Sequence, residues 1–269
     1  MNKKFFLSLL PIWALGLSSC FSSTKTITLS GALLSKDYQN DSSLDGTTLF
    51  DLKFKNFTLS SGGIRVCPAY LQSDKSADMS TISQMEAKLK PLVSVNASQG
   101  FFDAGFAVDF SENQITCSFR QQYHLEGTEV TLVVYANAKT ITIDGGSAMS
   151  LDLSRSEAVA INVNGASSIS AAKAFALSSL SLDCDGAASF EANGSVTSAT
   201  YTINGTASIK AKDLLSETVK VTIDGAGSAV VNASKSLDVS IDGTGSVTYY
   251  GDATLTKTIT GLGSVSKGN

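Results

Sequence analysis

The chain has 269 residues, of which 43% are hydrophobic and only 16% charged, with a formal net charge of −4 and 3 prolines. That is enough apolar content for one large core or two small ones. The acidic balance, with no Lys/Arg cluster beyond the first few residues, excludes the electrostatic footprint of a nucleic-acid binder. Abundant Gly, Ser, Thr and Ala favour many short strands and tight turns over a helical bundle.

The first stretch, MNKKFFLSLLPIWALGLSSC, sets Lys3 and Lys4 before an apolar run and closes on small residues. This is the layout of a secretory signal peptide. Its end, Leu17 to Cys20, is similar to a bacterial lipobox. The resemblance implies that residues 1–19 are removed and that Cys20 is lipidated on its thiol and its new amino group. An ordinary signal peptide that happens to hold a cysteine is the alternative. The apolar run is too short to span a bilayer comfortably. Several acyl chains on one residue hold a protein stably on a membrane, because each buried methylene contributes about 0.8 kcal/mol. The expected partner is therefore a membrane, through Cys20. The expected place is the cell envelope, with the surface and periplasmic sides of an outer membrane both open.

Residues 20–48 are mostly small and polar and read as a tether, with a short strand at TITL. Residues 49–139 form an N-terminal β part. LFDLKFKNFTL alternates over Phe50, Leu52 and Phe54 as a half-buried strand does. GGIRVCPAY is a second strand. STISQMEAKLKPL places Ile82, Met85 and Leu89 on one helical face, with Ser80 able to cap and Pro91 ending it, and so predicts one short helix. FAVDF, SEN and ITCSF read as a hairpin, QQYHLEG as a turn, and TEVTLVVYA as a strand. Cys67, Cys117 and Cys184 read as buried or half-buried free thiols, although an exported protein is permitted disulfides.

From residue 140 to 269 an internal repeat takes over. Gly145, Gly165, Gly186, Gly205, Gly225, Gly243 and Gly261 are spaced by 20, 21, 19, 20, 18 and 18 residues. A period near 20 predicts a solenoid. One position before each glycine stand Asp144, Asn164, Asp185, Asn204, Asp224, Asp242 and Thr260. Two before, the column is apolar, from Ile143 to Ile259. Four before it is apolar again, from Ile141 to Val239, until Lys257 breaks it. Between them runs a polar column from Thr142 to Thr258. Three after the glycine, Ala148 is followed by Ser168, Ser189, Ser208, Ser228, Ser246 and Ser264. Four after, the column from Met149 to Val265 is apolar. Each repeat is strand, Asp/Asn-Gly turn, strand, with period-2 alternation. Stacking like columns predicts an all-β, right-handed parallel β-solenoid. Coils about 4.8 Å apart would make a rod of roughly 30 Å. Lys257 suits an end that must not recruit another strand.

The chemistry candidates are thin. The Asp/Asn column reads first as turn formers, with Asp-Gly and Asn-Gly supplying the positive φ that a tight turn needs. Intervening amides relieve carboxylate repulsion by donating to their neighbours. Asp224 and Asp242, adjacent with no Asn between them, are where a cation would bind, but calcium wants six or more oxygens. The strings GAGS, GTGS and GLGS lead into strands, so they are not phosphate loops, and no cofactor is expected. Arg155 with Asp152 and Glu157 is the one local charged set that a polysaccharide-acting enzyme could use. His124 has no evident catalytic partner in the sequence. The outward Thr/Ser columns could meet glycans, or could be plain exposed strand surface.

VVYANAKTITIDGGSAMSL, the recurring I-x-[DN]-G-x-[GS]-S and the closing TITGLGSVS resemble the GIN-domain family, whose members carry the label of auto-transporter adhesin head domains and are common in lipoproteins of Bacteroidetes-like bacteria. The likeness covers about residues 50 to 269. It implies a right-handed β-helix outside the cell or in the periplasm and supplies no catalytic residues. The leading expectation is a lipid-anchored, adhesin-like module without catalysis, meeting a glycan or an envelope or host surface protein. A carbohydrate-active β-helix enzyme and a structural envelope protein are the alternatives. Oligomeric state stays open.

Overall fold

Apolar side chains recur at every second position along most of the chain, and each such strand buries one face only by stacking on a like strand. The computed structural model describes residues 24–39, 48–68 and 92–269. The leader, Cys20 and nearly all of the expected helix lie outside them. The N-terminal part holds β1 (Lys25–Thr28), β2 (Leu33–Gln39), β3 (Leu49–Leu59), β4 (Gly62–Cys67), β5 (Leu92–Ser98), α1 (Gln99–Asp103), β6 (Ala107–Ser111), β7 (Gln114–Glu126) and β8 (Val130–Tyr135). The repeat runs from β9 (Asn137–Gly146) and β10 (Ala148–Leu151) through β11 (Ala158–Val163) to β19 (Thr254–Gly261) and β20 (Ser264–Lys267). The whole is a β-solenoid of about 6 turns with about 20 residues per turn.

The columns stack as the periodicity predicts. Ile141, Ile161, Leu182, Tyr201, Val221 and Val239 sit in register and are fully buried, and Lys257 stacks on Val239 at the end of the column. The segment read as a tether is partly folded: β1 runs parallel to β7, β2 runs antiparallel to β5, and Leu29 is buried. Its apolar residues are too few to show a period, which is why composition alone suggested a linker. β6 and β7 form the expected hairpin. His124 is not in a turn; it lies inside β7, in register with Thr26 and Thr58. Cys67, Cys117 and Cys184 are free and buried.

Two features were hidden from the sequence. The first is order. β3 lies between β7 and β9, and β4 between β8 and β10, parallel to both in each case. Two strands from early in the chain are thus inserted between coils that follow one another later. Within β3, Asn56 takes a left-handed φ of 67°, and its side-chain amide donates to the Phe119 carbonyl at 2.9 Å. That bulge shifts the alternation, so Phe57 and Leu59 are buried as well as Phe50, Leu52 and Phe54. The second feature is an aromatic plug. Phe119 packs against Phe57, Phe101, Phe106 and Tyr123, with ring centroids 5.2–5.8 Å apart in the contacts to Phe101 and Phe57. These rings, gathered from β3, α1, the turn that follows it and β7, pack together at the N-terminal end of the rod.

The marker glycines answer to stacking more than to φ. Only Gly225, Gly243 and Gly261 have positive φ, so the turn explanation fails for Gly145, Gly165, Gly186 and Gly205. What all seven share is contact along the rod. A Cβ on Gly165 would lie 1.8 Å from the Gly145 carbonyl oxygen, and one on Gly186 2.2 Å from that of Gly165. The second glycines of GAGS, GTGS and GLGS have a different cause: a Cβ on Gly227, Gly245 or Gly263 would strike the Cγ2 of Ile203, Ile223 or Ile241 at 2.9, 2.8 or 2.6 Å.

One inward residue carries a polar atom without use for it. Tyr201 is fully buried and its hydroxyl has no hydrogen-bond partner. Leaving a buried hydroxyl unsatisfied costs about 1–3 kcal/mol. Tyr201→Phe is therefore expected to stabilise the protein by about 1 kcal/mol, seen in calorimetry as a rise in Tm of roughly 2–4 °C. A fall in Tm would show that the hydroxyl is bonded.

Candidate functional site

The residues that face outward from the repeat are set by the same alternation that buries the core. Thr142, Asn162, Asp183, Thr202, Thr222, Ser240 and Thr258 form one register-aligned column. On the next stretch of each coil, Ala148 is followed by Ser168, Ser189, Ser208, Ser228, Ser246 and Ser264. The result is a wall of short polar side chains on each side of the turn, open to solvent rather than an enclosed pocket.

The turn column borders this wall and shows how its charge is managed. Asn164 donates its side-chain amide to Asp144, and Asn204 donates to Asp185 at 2.6 Å. Each amide links its coil to the one before and lies between neighbouring carboxylates, as the alternation of Asp and Asn predicts. Asp183, beside this column, has one carboxyl oxygen buried without a partner. Burial first, and then the charge of Asp185, push its carboxyl above the ordinary range. Asp224 and Asp242 do stack in register, and both are exposed. They offer two carboxylates, and among the described residues no group of three or more His, Cys, Asp or Glu side chains is placed to hold a metal ion.

The charged corner at Asp152 is organised differently from its reading in the sequence. Asp152 is buried, while Arg155 and Glu157 are exposed. Its carboxylate is 2.9 Å from the Lys173 ammonium and accepts the Ser154 backbone N–H at 3.2 Å. Burial alone would raise the Asp152 carboxyl, but the Lys173 and Ser154 hydrogen bonds outweigh it and hold the group below its usual value. Lys173 lies in the next coil, so sequence proximity could not reveal it. A depressed carboxyl contributes stability above its unfolded value, near 3.9, and loses it as pH falls through the folded value. Lys173→Met should cost about 1–2 kcal/mol at neutral pH. In urea titrations that difference from the parent protein should shrink below about pH 4. A pH-independent difference would mean that the pair contributes by packing alone.

Two open grooves lie over the outer surface. One, of about 360 Å³, is lined by Glu191, Asn193, Lys210, Lys212 and Asp213, with Lys210 4.0 Å from Glu191. Lys212 covers the Tyr250 ring at 4.2 Å from its centroid. The other, of about 430 Å³, is lined by Leu177, Val196, Leu215, Glu217, Asn232 and Ser234. Leu215 is 60% exposed there.

Stacked coils with register-aligned polar columns define a parallel β-solenoid. A family model described as "putative auto-transporter adhesin, head GIN domain" matches residues 93–253, and the chain belongs to that family. The solved structure of a putative adhesin from Bacteroides fragilis NCTC 9343 is similar to it, with a TM-score of 0.66 at 14% identity over 90% of this chain and 99% of that one. A putative adhesin from Parabacteroides distasonis ATCC 8503 has a TM-score of 0.56 at 17% identity over 90% and 100% of the two chains. A putative lipid binding protein from the same organism has a TM-score of 0.56 at 18% identity over 91% and 100%. These likenesses concern the fold. No curated protein matches the chain.

Proposed function

We propose that this protein is a lipid-anchored module of the cell envelope that acts by binding through the outer walls of its solenoid, without catalysis. The observation that carries the proposal is the wall itself, whose hydroxyl, amide and carboxylate side chains are repeated in register from coil to coil. A surface of that kind meets an extended, hydroxyl-rich partner such as a glycan, or the polar face of an envelope or host surface protein, over many small contacts. Family membership supports an adhesin-like role. The LSSC stretch ending at Cys20 supports the anchor. Asp152 is held by Lys173, which weakens the enzyme reading built on Arg155, Asp152 and Glu157.

Cys20→Ala is expected to move the protein from the membrane fraction to the soluble fraction, because two or more acyl chains are needed for stable anchoring. Retention of the variant in the membrane would remove the lipid anchor from the account. Binding is tested on arrays of glycans, matrix proteins and envelope proteins. A ligand whose affinity falls at least tenfold on replacing Thr202, Thr222 and Ser240 by Lys supports the wall. Release of new reducing or unsaturated ends from a polysaccharide, abolished by Arg155→Ala, would favour the enzyme instead.

A further inference from the structure

The pairing of β1 to β4 points to more than an unusual strand order. Among the described residues, none of these four strands pairs with another of the four. β1 pairs with β7, β2 with β5, β3 with β7 and β9, and β4 with β8 and β10. The connecting hydrogen bonds follow the same rule: Leu29 N donates to Glu126, Ser60 N to Leu125 and Asp51 N to Asn113, while Gln99 N donates back to Ala32. Among the described residues, the segment therefore makes no strand pairing within itself. It is built into a frame supplied by residues from 92 onward.

That frame contains a slot one strand wide on each of two sides, between β7 and β9 and between β8 and β10. The slot is deep and tight. Phe50, Leu52, Phe54, Phe57, Ile64 and Val66 are all buried in it. β4 is pressed from both sides, since a Cβ on Gly62 would lie 1.9 Å from the Val130 carbonyl oxygen and one on Gly63 2.7 Å from that of Ala148. The connection from Cys67 to Leu92 is residues 68–91, 24 residues, which fully extended reach roughly 80 Å. The covalent link thus does not oblige the segment to enter the slot of its own chain.

We propose that residues 48–67, which carry β3 and β4, are a donor segment that can be supplied by a second copy of this chain, so that two copies exchange them and each completes the other's solenoid. The contacts in the exchanged and unexchanged forms are the same, which makes exchange a low-cost route to a dimer. The partner is fixed by chemistry: only a segment with the same alternation, the same bulge at Asn56 and glycines at 62 and 63 fits.

The test uses cysteines placed on outward positions that are in register across the slot. Lys53 lies beside Thr142, and Arg65 beside Ser150. Chains carrying both Lys53→Cys and Thr142→Cys, or both Arg65→Cys and Ser150→Cys, are treated with a short bis-maleimide and should crosslink. Chains carrying one change each are then co-expressed with different tags and treated alike, next to the parent chain, whose Cys67, Cys117 and Cys184 are buried. The expected result is a heterodimer band at twice the chain mass that carries both tags. The band should be at least tenfold weaker when the two chains are folded apart and mixed afterwards. Crosslinking of the doubly substituted chains without any heterodimer on co-expression would overturn the exchange. Failure of both doubly substituted chains to crosslink would overturn the slot itself, and the proposal with it.

Discussion

Gly165→Ala is expected to destabilise the solenoid by about 3 kcal/mol or more, a large effect for a change of one methyl group. The methyl would be placed 1.8 Å from the carbonyl oxygen of Gly145. That oxygen belongs to the backbone of the coil below and cannot swing aside as a side-chain tip can. It also accepts no relief from moving the coil, because Asn164 N donates to Ile143 and Ala187 N to Gly165 at 2.9 and 3.0 Å on either side. Opening the gap would break these ladder bonds. Urea unfolding of Gly165→Ala beside Thr222→Ala, an outward change expected to lie within about 0.5 kcal/mol of the parent, isolates the effect. Equal midpoints for the two variants would show that the glycine column is not a close-packed ladder.

Phe119→Ala is expected to cost about 3–5 kcal/mol, the usual range for deleting a buried aromatic ring. Phe119 is the hub of the plug, with edge-to-face contacts to Phe57, Phe101, Phe106 and Tyr123. Such pairs contribute about 0.5–1.5 kcal/mol each beyond simple burial. Its backbone carbonyl also accepts the Asn56 bond that fixes the bulge in β3. The loss should therefore appear first at the N-terminal end. Hydrogen exchange is expected to quicken across β3, β4 and β7 while β15 (Gly194–Ile203) keeps its protection, because a stack of repeats unravels from a weakened end. Uniform loss of protection along the rod would contradict a separate end plug.

The repeat was legible in the sequence because its information is local. Spacing fixed which residues share a column, alternation fixed which columns point inward, and the register follows once like columns coincide. The Asp–Asn amide bonds were legible for the same reason, as neighbours one coil apart. What escaped depends on contacts of long range. Leu52 of β3 is in register with Ile115 on one side and Ile141 on the other, and no period links 52 to either. The aromatic plug gathers Phe57, Phe101 and Phe119 from three elements with no common motif. Lys173 escapes as the partner of Asp152 because the two share no column: Asp152 stands 7 residues after Gly145 and Lys173 8 after Gly165, whereas Arg155 is close in sequence. A tight turn and a close backbone approach select the same residue, so the Asp/Asn-Gly pattern points to positive φ even at Gly145, Gly165, Gly186 and Gly205, where the cause is stacking. The polar residues flanking His124 give it the pattern of a turn and hide the strand that β3 and β1 complete.

The adhesin-like reading of the proposed role needs the polar wall to be displayed outside the cell. Ser240 is an exposed member of that wall, and Cys67, Cys117 and Cys184 are buried; burial pushes the Cys184 thiol up to about 12, so these thiols give little background with maleimides. Ser240→Cys on intact cells, treated with a membrane-impermeant maleimide, is the direct measurement. Labelling of intact cells to the level reached after lysis is the predicted result. Labelling only after the outer membrane is broken would contradict a surface-displayed adhesin-like wall.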